Sequence, residues 1–84
     1  MAKQFHRIDL KKPLLIITTD NGMLACGYVN PATADKTGEA CAIVTGVNDF
    51  EAMETALVVA VSAAAEALGV KVGDTGAAAL EKMG

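Results

Sequence analysis

The strongest hydrophobic pattern in the chain is the run LLIITT at residues 14–19. It is short, rich in β-branched residues and apolar on both faces, which predicts a strand. A strand apolar on both faces needs cover on both sides. In so short a chain, helices are expected to cover one side and another subunit the other. Residues 4–10 predict a preceding strand, anchored by Phe5 and Ile8 and punctuated by Lys11, Lys12 and Pro13. Asp20, Asn21 and Gly22 predict a tight hairpin turn, because Asn-Gly tolerates positive φ at both positions. Residues 23–29 then return antiparallel, with Leu24, Cys26 and Tyr28 on one face and Met23, Ala25, Gly27 and Val29 on the other.

The pattern next turns helical. Asn30 as N-cap and Pro31 as first helical residue predict a short helix over residues 31–36. Gly38 is its expected left-handed cap. Residues 39–45 (EACAIVT) predict a further strand. Asn48 or Asp49 caps a second helical stretch through Phe50, Met53 and Glu54, with acids placed to complement the helix dipole. Leu57, Val61, Ala64 or Ala65, and Leu68 recur at helical spacing. They predict a long helix over residues 56–68, apolar nearly all round, ending at Gly69. Val70 to Val72 add a short extended segment, and Asp74 or Thr75 caps a last helix over residues 77–83. The fold class is therefore α+β. A small antiparallel or mixed sheet combines the N-terminal strands with one after a short helix, and C-terminal helices pack on it. No repeat or linker divides residues 1–84, which read as one domain.

Size sharpens this picture. With 84 residues there is room for one core. Ordering costs roughly 1.5 kcal/mol per residue, which apolar burial barely offsets, so small domains lean on disulfides, metals or partner subunits. Residues 1–13 are charged and polar where a signal peptide needs an apolar stretch, which predicts a cytoplasmic chain. In that reducing compartment a disulfide between Cys26 and Cys41 is not expected. His6 is the only histidine and the two cysteines stand far apart, so neither a metal site nor a cofactor is expected. Self-association remains. Hydrophobic residues make up 52% of the chain, above the usual share. Alanine swells that figure, but the two-faced strand favours a homo-oligomer. No apolar stretch reaches the about 20 residues that cross a membrane.

The net charge is −3, unevenly spread. Residues 1–12 carry four basic groups against Asp9, and the rest carries three lysines against nine acids. An acidic body argues against a nucleic-acid platform. The basic arm is a possible handle for a protein partner, or a solvated end.

Candidate chemistry is sparse. Cys26, beside Gly27, is the best single candidate for a nucleophile, but a thiolate needs a cation or base nearby. Cys41 ranks below it, and a strand cysteine is usually a core residue. Tyr28 and Asn30 flank the end of the Cys26 strand and are candidates to line a small ligand pocket, although capping already accounts for Asn30. The glycines Gly69, Gly73 and Gly76 suggest a phosphate loop, yet they lack its Lys-Ser/Thr ending, and Asp74 would repel an anion. Ser62 lacks the context of a nucleophile elbow and is expected to pack a helix. Asp49, Glu51 and Glu54 read as a solvated helix start. No catalytic motif emerges, so whether the protein is an enzyme stays open.

The runs LLIITTDNGMLACGY (14–28), AIVTGV (42–47), DFEAM (49–53) and VSAAAEALGVKVGDTGAAAL (61–80) resemble the YunC-like family of small domains of unknown function. The likeness covers residues 14–83. It implies an α+β domain whose N-terminal sheet region forms a tetramer. It implies no activity and no role for Cys26 or Gly27, which match its pattern.

Overall fold

In the computed structural model, which describes residues 3–29 and 31–84, the two-faced apolar run is strand β2, Pro13–Thr18. It pairs antiparallel with β1, Gln4–Asp9, and with β3, Met23–Ala25, placing Ile17 opposite both Phe5 and Leu24. Helix α1, Pro31–Thr37, carries the chain across to β4, Cys41–Ile43, which lies parallel to β3. Helix α2, Phe50–Thr55, is followed by β5, Ala60–Val61, antiparallel to β4. Helices α3, Ala63–Ala67, and α4, Gly76–Lys82, complete the described elements. The five strands lie in sequence order in one mixed sheet. The α+β class with C-terminal helices on a mixed sheet is thus the observed architecture.

Strand alternation sorts the core onto two faces. Leu15, Ile17, Leu24, Ala42 and Val44 meet Met53 of α2, Ala65 of α3, and Ala79, Leu80 and Met83 at α4 in the main core. The opposite face holds a smaller cluster of Ala25, Cys41 and Ile43, flanked by Ile16, Met23 and Ala60. Val29, shortly before α1, packs against this second cluster, and α1 itself packs on β4.

The long helix expected over residues 56–68 does not form. Helix α2 stops at Thr55, and Ala56 is extended (φ −68°, ψ 153°). The β-branched Val58, Val59 and Val61 favour extended backbone, and two neighbours take up their peptide groups. Val58 N donates to Asp74 O at 2.8 Å, and Val59 N donates to Ile43 O at 2.8 Å. Val58 turns into the core while Leu57 and Val59 face out, the period of a strand. The coincidence of Leu57, Val61 and Leu68 at helical spacing misleads because alanine fits either period.

Smaller departures have local causes. Residues 23–29 and 39–45 pair as strands only over residues 23–25 and 41–43. The hairpin turn closes with Thr19 N donating to Gly22 O at 2.8 Å, yet neither Asn21 nor Gly22 takes a positive φ. Gly22 serves close approach instead, since a Cβ there would lie 2.6 Å from Met83 Sδ and 2.9 Å from Ala40 O. The turn also grips the chain after α4. Thr19 Oγ1 donates to Met83 O at 2.8 Å, and Asn21 N donates to the same oxygen at 3.1 Å. Gly38 is left-handed (φ 78°) after α1, as its sequence position suggests. Asp49 caps α2 by accepting from Ala52 N at 2.7 Å, and Thr75 caps α4 by accepting from Ala78 N at 3.2 Å. The expected N-cap Asn30 lies outside the described residues. Val70 is buried in the core, but residues 70–72 pair with no strand among the described residues.

Candidate functional site

The sequence-derived candidates converge in part. Cys26 does not sit in mid-strand but just past β3. Its N–H donates to Leu15 O at 3.0 Å, and its thiol accepts from Leu15 N at 3.4 Å. A turn follows, closed by Val29 N donating to Cys26 O at 3.1 Å. That turn breaks the strand alternation, so Tyr28 does not join Leu24 on the buried face and is 52% exposed. Cys26 and Tyr28 nevertheless line one crevice of about 230 Å³. Lys12, from the β1–β2 connection, and Pro13, the first residue of β2, form one wall. Thr45, Gly46 and Val47, after β4, form the other. Gly27 lies between them, close enough that a Cβ would be 3.4 Å from Thr45 Cγ2. Asn30, the third candidate, lies outside the described residues.

Sequence reasoning missed Lys12 and the 45–47 wall. Two weak signals were present: a glycine directly after an apolar strand, and a Lys-Pro pair at a strand start. Only the placement of β3 between β2 and β4 makes them neighbours.

The crevice has little nucleophile chemistry. Cys26 is 5% exposed. His6 lies on β1 with Nε2 3.4 Å from Thr18 Oγ1, and is not among the lining residues. Cys41 is fully buried on the second face, and its thiol is pushed up to about 11. Burial is the main cause, followed by the Glu39 and Asp35 carboxylates. Because the folded state holds this proton more tightly than an ordinary thiol (9.0), the resulting stability is complete below pH 9 and is lost towards pH 11. Unfolding free energy is expected to fall by about 2 kcal/mol across that interval. Cys41→Ala should remove this part of the slope in urea titrations run at each pH.

The other candidates have structural roles. Ser62 is fully buried and caps α3. Glu54 is half-buried, with Oε1 3.8 Å from Lys3 Nζ. In the glycine loop, Gly69 and Gly73 are left-handed, but the groups a phosphate would need are occupied. Asp74 Oδ2 accepts from Lys82 Nζ at 2.8 Å and from Lys71 N at 2.9 Å, and Lys82 Nζ also donates to Gly69 O at 3.0 Å. The Lys82 bond, then the Lys71 N–H, hold the Asp74 carboxyl below its ordinary 3.8. The stability this adds is present above about pH 4 and lost as pH falls through the lowered value. The thermal advantage of the natural chain over Asp74→Asn should therefore disappear in acid.

Among the described residues, no group of three His, Cys, Asp or Glu side chains is placed to hold a metal ion. Among them too, no helix is long and apolar enough to cross a membrane.

The whole architecture recurs in a crystal structure of a protein of unknown function, TA1206, from Thermoplasma acidophilum. The two are 29% identical, with a TM-score of 0.85, over 99% of this chain and 94% of that one. No curated protein shows significant sequence similarity to the chain. The model of the DUF1805 family, a domain of unknown function, matches residues 25–83, from the end of β3 through α4. With most of its length inside that match and its fold shared end to end with TA1206, the chain belongs to the DUF1805 family.

Proposed function

We propose that the chain works as a cytoplasmic homo-oligomer, a tetramer in the YunC-like manner, with the N-terminal hairpin as its subunit interface. One observation carries this reading: β1 is exposed along its entire length although it bears large apolar side chains. Phe5, Ile8 and Leu10 are each more than half exposed (54%, 54% and 53%). The outer edge of β1 pairs with no strand among the described residues, and an open apolar edge is a template for a second chain. Ile8 pairs with Leu14 across the hairpin, and Ile16 and Met23 are half-covered on the second face. The YunC-like motifs in residues 14–28 and 42–80 support the tetramer, and the DUF1805 match overlaps most of them. Light scattering tests the assembly. A clean monomer at micromolar concentration overturns it, and Ile8→Glu with Leu10→Glu is expected to shift a multimer to monomer while far-ultraviolet circular dichroism stays the same.

The crevice favours a second reading, a small-molecule-binding module whose sites lie near subunit boundaries. Its polar and apolar walls come from three separate segments, the usual make-up of a ligand pocket. Native mass spectrometry of untagged protein from its source tests this directly, since stoichiometric extra mass would reveal a ligand. The rival enzyme reading requires Cys26 to react with iodoacetamide at a pH well below that at which an ordinary thiol ionises. Its burial points instead to slow alkylation until the chain is unfolded.

A further inference from the structure

The crevice lies at a special place in the sheet. β3 and β4 are adjacent and parallel. The chain leaves β3 along the second face, where Val29 packs, but leaves β4 towards α2, whose Met53 lies in the main core. Where connections from neighbouring parallel strands part to opposite faces, an opening remains beyond their carboxyl ends, and open α/β sheets bind ligands there. Cys26, Gly27 and Tyr28 follow β3, and Thr45, Gly46 and Val47 follow β4, so the crevice occupies that opening.

Its chemistry is one-sided. Lys12 is the one charged residue among those lining it. Among the described residues, no hydrogen bond takes up the N–H groups of Thr45, Gly46 or Val47. Gly46 is left-handed (φ 71°) between neighbours with ordinary φ. A left-handed residue is one half of the right-handed–left-handed pair that forms an anion-binding nest. Thr45 and Tyr28 also line it, and Pro13, Val47 and Cys26 supply its apolar surface.

We propose that this crevice binds a small organic carboxylate. Lys12 and the 45–47 backbone hold the head group, and a short apolar tail lies against Pro13, Cys26 and Val47. One lysine matches one negative charge, whereas a phosphate dianion would meet the same single lysine and an apolar floor. The inference rests on the ligand-binding reading above and names its ligand class.

The test is a titration of the ¹⁵N-labelled full chain with butyrate, acetate and inorganic phosphate at constant ionic strength. Butyrate is expected to give saturable amide shifts at residues 45–47, tighter than acetate because of its longer tail, and tighter than phosphate. Lys12→Gln, on an exposed connection, should weaken butyrate about tenfold, the size of one lost charge-assisted hydrogen bond. No saturable shift with butyrate overturns the proposal, as does equal binding by Lys12→Gln. Phosphate binding as tightly as butyrate overturns the carboxylate assignment. Bound mass in native spectrometry alongside a failed butyrate titration would reject this ligand class and leave the broader binding reading standing. Absence of both would remove the two together.

Discussion

Gly76→Ala is expected to destabilise the protein by about 3 kcal/mol, the upper part of the range for overpacking. Helix propensity alone predicts the opposite, since alanine is better than glycine in a helix by about 1 kcal/mol. Packing decides the sign. Gly76 opens α4 at its crossing with α2, where a Cβ would overlap the Met53 carbonyl and sit 2.9 Å from Leu24 Cδ2. A backbone carbonyl cannot swing aside as a side-chain end can. Nor is the helix free to back away. Gly76 N donates to Ala56 O at 2.9 Å, and Leu57 bridges Thr75. At roughly 0.05–0.15 kcal/mol per residue, the stability of a chain this size is about 4–13 kcal/mol, so the loss is a large share of it. Urea denaturation measures it. Gly38→Ala is the comparison, because open space surrounds Gly38 and only its left-handed φ is strained. That strain costs about 1–2 kcal/mol. A Gly76→Ala protein as stable as the natural one would contradict the α2–α4 crossing described above.

Ser62→Ala is expected to cost about 2–4 kcal/mol. Its hydroxyl oxygen accepts from Cys41 N at 2.8 Å and from Ala65 N at 3.3 Å, while its hydrogen goes to Glu39 O at 2.8 Å. One oxygen thus joins the start of β4, the approach to it, and the first turn of α3. Loss of an N-cap costs about 1 kcal/mol. Leaving a buried donor or acceptor unpaired adds about 1–3 kcal/mol. The site is fully buried, so water does not readily replace the hydroxyl. Asp35 Oδ1 also caps α3 by accepting from Ala63 N at 2.7 Å, and this keeps the helix start from unravelling completely in the variant. Amide exchange at Cys41 and Ala65 should rise more than at Leu80, distinguishing local loss of the bonds from general loosening. Unchanged stability would mean that Ser62 only fills space.

Much of the fold is legible from local pattern. The β2–β3 hairpin, the short helix after Pro31, the Asp49 and Thr75 caps and the Gly38 cap all follow from residue chemistry acting over a few positions. Hairpin turns and helix caps are short-range, so a short-range reading finds them. The failure at residues 56–68 has the complementary cause. Val58 and Val59 become extended because Asp74 and Ile43, distant in sequence, accept their N–H groups, and no local pattern contains those partners.

The candidate site divides the same way. Cys26 and Tyr28 stand out in the sequence because a cysteine–glycine pair and the lone tyrosine sit at a strand end. Their partners Lys12, Thr45, Gly46 and Val47 come from segments on either side, and only the pairing of β3 with β2 and with β4 assembles them into one crevice. Sequence by itself determined the class of the fold, its strand and cap chemistry, and the surplus of apolar surface on the N-terminal hairpin. Tertiary structure decided where the valine run lies, what Ser62 and Gly76 are for, and which side chains share the crevice. The physical reason is range: backbone preference acts between neighbours in the chain, whereas burial, close packing and the pairing of buried polar groups act between neighbours in space.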